Sequence, residues 1–329
     1  MKNKLIVLTG PTAAGKTDLS IKLAKKIDGE IISADSVQVY KGFDIGSAKI
    51  TPDEMQGVPH HMIDVYEPDF PFDVTVFQKD AKRLVNEIYE RGHIPIIVGG
   101  TAFYIQALLY DVDFDTENED KVYRKELEDY LEKTGDIDSL YEKLKEIDPA
   151  SAEIIHKNNH RKVIRALEYF HYHNKPISEH NAEQHTKESV YDSRYYVITM
   201  NRDRLYSRIN KRVDIMKEQG LYEEVKGLLN NGVKREYNSM QAIGYKEIYD
   251  AIQLIKENNI EEGSAEYNEI LEKAYDDIKQ NTRHFAKRQL TWFRREKDVI
   301  WLDRDEFSND YSLSSEETDE RMLERIQNG

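Results

Sequence analysis

Gly10, Pro11, Thr12, Ala13, Ala14, Gly15, Lys16 and Thr17 spell GPTAAGKT, a full match to the Walker A spacing G-x-x-x-x-G-K-T. Such a loop turns backbone N–H groups toward an anion, its lysine neutralises phosphate oxygens, and its threonine hydroxyl is placed to take a Mg²⁺ ion. Phosphate binding is therefore the first chemistry written in this chain. What carries the phosphate is a separate question. Kinases and ATPases complete the Mg²⁺ shell with an aspartate at the end of a second strand, but the natural candidate, residues 94–98 (IPIIV), ends in Gly99, Gly100 and Thr101 without an acid. The carboxylate that does stand at an early strand end is Asp35, after residues 30–34 (EIISA). It can act on a ligand or cap the next turn beside Ser33 and Ser36. Residue chemistry alone leaves both open.

These groups can act together only if the strands carrying them end together. Residues 5–8 are a β-rich run stopping at Thr9 and Gly10, and Leu19, Ile21, Leu23, Ala24 and Ile27 predict a helix behind the loop. Further strands at 30–34 and 94–98 and a helix at 102–109 give the alternation of a parallel sheet, whose ligands lie beyond the strands' carboxyl ends. From about residue 115 the sequence becomes highly charged, with Leu127, Tyr130, Leu131, Leu140, Leu144 and Ile147 at helical spacing. A strand returns at 195–200, after a polar stretch at 179–193. Gly220 and Gly232 are breaks, a long helix crosses 266–289, and a last strand occupies 299–302. The expected fold is α/β: a P-loop NTPase-like parallel sheet flanked by helices, with an all-helical insertion domain. Residues 1–114 and 190–329 would form the core with its helical C-terminal part, and 115–189 the insertion. Residues 305–329 are polar enough to predict a loosely held tail.

At 329 residues the chain is long enough for two domains. Its lack of cysteine excludes structural disulfides, thiolate metal sites and cysteine nucleophiles, and agrees with a reducing cytoplasm. The apolar run at 5–8 is too short for a signal-peptide core or a membrane span, so no membrane partner is expected. A net charge of −15 by itself argues against nucleic acid. The distribution says otherwise, since acids crowd into 117–148 and 303–324 while bases collect in three stretches. One is Arg202, Arg204, Arg208, Lys211 and Arg212; a second is His160, Arg161, Lys162 and Arg165. The third is Lys279, Arg283, Lys287, Arg288, Arg294, Arg295 and Lys297, interleaved with Phe285, Trp292 and Phe293. Aromatics among arginines suit unpaired bases and phosphates, which makes Arg283, Lys287 and Arg288 candidate RNA contacts. Trp292 and Phe293 can equally be core residues under the last strand. His60 and His61, on opposite sides of an extended chain, are assigned no metal.

The blocks GPTAAGKT, ISADSVQVYKGFDIGSAK, PHHMIDV, PIIVGGTAFYIQALL, RKVIRALE and QNTRHFAKRQLTWFR, in this order, closely resemble the bacterial tRNA dimethylallyltransferase family over nearly the whole chain. ISADS and GGTAFYIQALL are more specific than the Walker A element. The resemblance implies that the loop binds the pyrophosphate of dimethylallyl diphosphate, and that the dimethylallyl group passes to N6 of adenosine 37 in a tRNA anticodon loop. It implies Asp35 as the proton acceptor, Thr101 as a substrate-positioning group, Arg212 as a further diphosphate ligand, and Mg²⁺ at Thr17. Asp35, Ser36, Val37 and Gln38 match the family's turn for reading the extruded base, and Arg161, Lys162, Val163, Ile164 and Arg165 its tRNA-contacting stretch. Asn159 and His160 depart from the pattern, standing where aspartate and proline are common. Arg202, Arg204, Arg208 and Lys211 read as a solvated helix face. Gln241 and Tyr245, in MQAIGYKE, also resemble the family, without readable chemistry. The expected protein is a cytoplasmic monomer. Other readings are a prenyltransferase acting on free adenine nucleotides, a P-loop kinase or NTPase, and a non-catalytic tRNA-binding protein.

Overall fold

A computed structural model describes residues 2–114, 122–308 and 315–328. Six strands, β1 (Lys4–Thr9), β2 (Gly29–Ala34), β3 (His60–His61), β4 (Ile94–Gly99), β5 (Asp192–Thr199) and β6 (Val299–Asp303), form one parallel sheet in the order β3-β2-β4-β1-β5-β6. All six residues of β2 are buried, as a parallel strand covered on both faces requires. The helices predicted behind the first loop and behind β4 are present as Lys16–Ile27 and Ala102–Leu109.

Strand register places the functional loops. Thr9 of β1 and Ala34 of β2 both pair with Gly99 of β4, so Gly10, Asp35 and Gly100 leave the sheet side by side. Thr9 Oγ1 donates to the Gly99 carbonyl at 2.6 Å, and the Thr101 N–H donates to the Ala34 carbonyl at 3.2 Å. A Cβ on Gly99 would lie 2.1 Å from the Ala34 oxygen. β4 can therefore carry no side chain at this point, which is the steric reason its end lacks a carboxylate.

The chain divides into two compact units, Met1–Leu108 with Tyr191–Gly329, and Leu109–Val190. In the first, the core gathers Leu8, Ala14, Leu19, Leu23, Ile198, Leu205 and Leu302. Met322, Leu323 and Ile326 join it from the helix Ser315–Asn328. That corrects the expectation of a loose tail. Three apolar side chains within little more than one turn, hidden among charges, anchor a helix by burial against the sheet's own core. Residues 309–314 of the expected tail lie outside the described residues.

The second unit is helical: Val122–Thr134, Ile137–Ile147, Pro149–Ile154, His160–His173 and Ile177–Thr186. The last of these occupies part of the stretch read from sequence as merely polar. Leu127, Leu140, Leu144, Ala152, Val163, Ile164 and Leu167 make its core. The expected start of the insertion at residue 115 lies outside the described residues. No described helix is long and apolar enough to cross a membrane.

Candidate active site

The Walker A loop closes on itself. Lys16 Nζ donates to the carbonyls of Gly10 at 3.1 Å and Pro11 at 2.9 Å, and the Ala14 N–H donates to the Pro11 carbonyl at 3.2 Å. Burial pushes the Lys16 ammonium down to about 8, with Arg212 adding to the shift and Asp35 opposing it. Burial likewise lowers Arg212, opposed by Asp18, Asp35 and Glu54. Lys16, Arg212 and Asp35 thus lie within each other's fields although their positions are far apart in sequence. Two cations and one carboxylate converge where β1 and β2 end.

Asp35 is half-buried, and its Oδ1 accepts from the N–H groups of Val37 at 2.8 Å and Gln38 at 3.2 Å. It therefore does cap the turn. A carboxylate has two oxygens, so capping through one is compatible with proton acceptance through the other. Ser36 is exposed, and Gln38 donates its side-chain amide to the carbonyls of Ser47 at 3.2 Å and Ala48 at 3.4 Å. The amide nitrogen is thus occupied within the protein and only the amide oxygen is left to read a ligand. Thr17 is exposed in the first helical turn, next to Asp18. No group of three or more histidine or acidic side chains among the described residues could cage a metal.

Several groups at this site were not legible in the sequence. Arg208, assigned to a solvated face, is half-buried and its Nε donates to the Ala13 carbonyl at 2.8 Å. Arg204 pairs with Asp305 at 2.7 Å. The helix Arg202–Glu218 turns Arg208 onto the loop and Arg204 onto Asp305, while Arg202 and Lys211 are exposed as expected. Gln289, buried, joins two strand ends, accepting from the Thr12 N–H at 3.0 Å and donating to the Gly100 carbonyl at 2.8 Å. Its signal was a polar residue within the buried stripe Tyr275, Ile278, Ala286, Gln289 and Phe293. Gln289→Leu keeps the volume but strands both partners, at roughly 1–3 kcal/mol for a buried polar group left unpaired. The expected result is about tenfold weaker binding of inorganic pyrophosphate by calorimetry. Unchanged affinity would show that the two loops are held independently.

Tyr245, in MQAIGYKE, is fully buried and donates its hydroxyl to Glu224 Oε1 at 2.7 Å. Glu224 accepts from the N–H groups of Asp44, Ile45 and Gly46 at 3.2, 2.7 and 3.2 Å. The block FDIGSAK is thereby held beneath Gln38. Gln241 donates to the Arg235 carbonyl at 2.6 Å, a local role.

On the long helix Ala265–Phe293, Lys287 and Arg288 are exposed, whereas Arg283 Nη1 donates to Asn210 at 2.6 Å. His284, Lys287, Arg288, Thr291, Trp292 and Arg295 line one open groove. Phe293 is core, but Trp292 is 37% exposed and meets Phe103 edge-on at 6.0 Å. Phe103 stands two residues after Thr101, so the basic groove begins beside the site.

In the helical unit Arg161 and Lys162 are exposed. Val163 and Ile164 are buried in that unit's own core, which corrects their assignment as tRNA-contacting side chains: consecutive helical positions cannot all face outward. Arg165 Nη1 donates to the buried Glu168 at 2.9 Å, which Arg124 also holds. The departure at Asn159 leaves the helix start intact, since its side chain accepts from the Lys162 N–H as an N-cap.

Residues 38–296 match the model of a family described as IPP transferase, well over half of the chain. The chain belongs to the IPP transferase family. Relatives of this IPP transferase include proteins named tRNA dimethylallyltransferase from Lachnoclostridium phytofermentans, 51% identical over 95% of each chain, and Bacillus cereus, 50% identical over 92% of this chain and 90% of the relative. A crystal structure of the full-length tRNA isopentenylpyrophosphate transferase from Bacillus halodurans superposes with a TM-score of 0.69 at 42% identity, over 99% of this chain and 96% of that one. A eukaryotic dimethylallyltransferase described as acting on tRNA superposes with a TM-score of 0.79 at 31% identity, over 99% and 80%.

Proposed function

We propose that this chain transfers a dimethylallyl group from dimethylallyl diphosphate to N6 of adenosine 37 in tRNA and releases pyrophosphate. The observation that carries this reading is the convergence of Lys16, Arg212 and Asp35 at adjoining strand ends. The relatives' names, which specify both a dimethylallyl donor and tRNA, support the same substrates. An adenine amine is a weak nucleophile because its lone pair is delocalised into the ring. As N6 bonds to C1 of the dimethylallyl group, the C1–O bond breaks and the N6 proton passes to Asp35, so no full positive charge stays on the base. The departing diphosphate gains charge, which the loop amides, Lys16 and Arg212 stabilise from positions set beforehand.

Mg²⁺ suits this donor set, because it is usually held by one or two protein groups with phosphate oxygens and water completing the shell. Thr17 would hold it, with Asp18 adjacent, and it would neutralise diphosphate charge. Reaching N6 requires extruding the base from the loop, at a few kcal/mol. Ser36, Val37 and the Gln38 oxygen are the groups we assign to its edge, and Arg161 and Lys162 to the anticodon stem-loop. The absence of cysteine supports a cytoplasmic setting.

The test is transfer of labelled dimethylallyl diphosphate to unmodified tRNA with Mg²⁺. Label in the anticodon loop is expected; label on free AMP, or ATP turnover, would displace this reading. For the groove, Lys287→Ala and Arg288→Ala are each expected to weaken tRNA binding and to reduce the slope of log K against log salt by about one phosphate contact. Filter binding across a salt series measures it, and unchanged slopes would remove the groove from the interface.

A further inference from the structure

One guanidinium from the far end of the chain holds the back of the phosphate loop. Arg304 is 1% exposed; its Nε donates to the Ala14 carbonyl at 2.8 Å, and its Nη2 to the Gly15 carbonyl at 3.1 Å and to Asp319 Oδ1 at 2.6 Å. Asp319 is equally buried, on the helix Ser315–Asn328 whose Met322 and Leu323 sit in the core. A Cβ on Gly15, at φ 86°, would lie 2.6 Å from that same Nη2. The guanidinium fills the space a side chain would need there. The next residue, Asp305, accepts from the Asn201 N–H and from Arg204, tying down the start of the helix that bears Arg208 and Arg212. Carbonyls 13, 14 and 15 are consequently all held by arginine.

In a planar trans peptide the C=O and the following N–H point in opposite directions. Clamping the Ala14 and Gly15 carbonyls therefore fixes the N–H groups of Gly15 and Lys16, on the side away from Arg304. As helix-start donors these lack intrahelical partners. They are the groups an anion needs, aimed before it arrives.

We infer that Arg304 and Asp319 are positioning residues for the diphosphate: the C-terminal helix sets the aim of the Gly15 and Lys16 amides without touching the ligand. The inference rests on the reading of the loop as a diphosphate seat. Both residues lie beyond the stretch 38–296 that matches the family model.

The test uses the full chain with the double replacement Arg304→Met and Asp319→Leu, which removes the clamp without leaving one charge buried alone, and with Arg304→Lys. Calorimetry with inorganic pyrophosphate is expected to show affinity lowered about tenfold in the double variant and partly restored in Arg304→Lys, whose ammonium can serve one carbonyl. KM for the prenyl diphosphate should rise while KM for tRNA stays put. A folded double variant with wild-type pyrophosphate affinity overturns the inference. Lys16→Met separates the two readings. Binding lost there but kept in the double variant leaves the diphosphate seat standing and sinks the clamp, whereas binding kept in Lys16→Met sinks the seat. In the wild-type chain, pyrophosphate should slow amide exchange in the helix Ser315–Asn328 as well as at residues 14–16. A helix that exchanges at its unliganded rate overturns the clamp whether or not the variant folds.

Discussion

Lys16→Met is expected to lower kcat for dimethylallyl transfer by roughly 10²–10³-fold, the cost usually seen when one preorganised donor to a developing anion is removed. The effect should fall on kcat more than on the donor's KM, because charge on the diphosphate grows as the C1–O bond breaks. Methionine preserves the packing under the loop and removes only the ammonium. Wild-type Lys16 also predicts a pH signature. In the unliganded protein it titrates near 8, so above that pH a growing fraction must take up a proton before it can pair with the anion. Pyrophosphate affinity should therefore fall as pH rises from 7 to 9. The diphosphate's own ionisation contributes to any such profile, so the diagnostic quantity is the difference between wild type and Lys16→Met measured by calorimetry. Parallel profiles would show that Lys16 is not the group titrating, and wild-type turnover in the variant would remove it from the reaction.

Asp35→Asn is expected to reduce transfer by roughly 10²–10⁴-fold, the usual worth of a positioned general base. Asparagine keeps an oxygen for the Val37 and Gln38 N–H groups, which Asp35 Oδ1 now receives at 2.8 and 3.2 Å. The turn should stand, and binding of both substrates should change little. Single-turnover kinetics with saturating tRNA and dimethylallyl diphosphate isolates the chemical step. If Asp35→Asn turned over normally while Asp35→Ala lost stability, the carboxylate would be a cap and nothing more. The asparagine variant is thus the sharper of the two, since alanine removes the cap and the base together.

The sequence by itself determined much of this protein. The loop at residues 10–17, the alternation of strands and helices, and the absence of an acid after residues 94–98 were readable because each is local. Backbone-driven motifs and hydrophobic periods of two or 3.6 residues are written in neighbouring positions. That Asp35 could both cap a turn and face a ligand was already visible as two open readings. Only the tertiary structure showed them to be compatible, through two hydrogen bonds to one oxygen.

What the sequence did not contain are contacts between distant residues. Arg208 looked like one charge in a solvated run, and only the packing of its helix turned it onto the Ala13 carbonyl. Val163 and Ile164 stood inside a basic stretch, and the helical period sent them inward. Gln289 and Arg304 lie hundreds of residues from the loop they brace. The polar C-terminal stretch carries three apolar residues whose burial depends on a surface formed by the rest of the chain. Phosphate binding is specified locally because backbone amides do the work. The aim of those amides is decided by long-range packing, because what holds a carbonyl in place must come from another part of the fold.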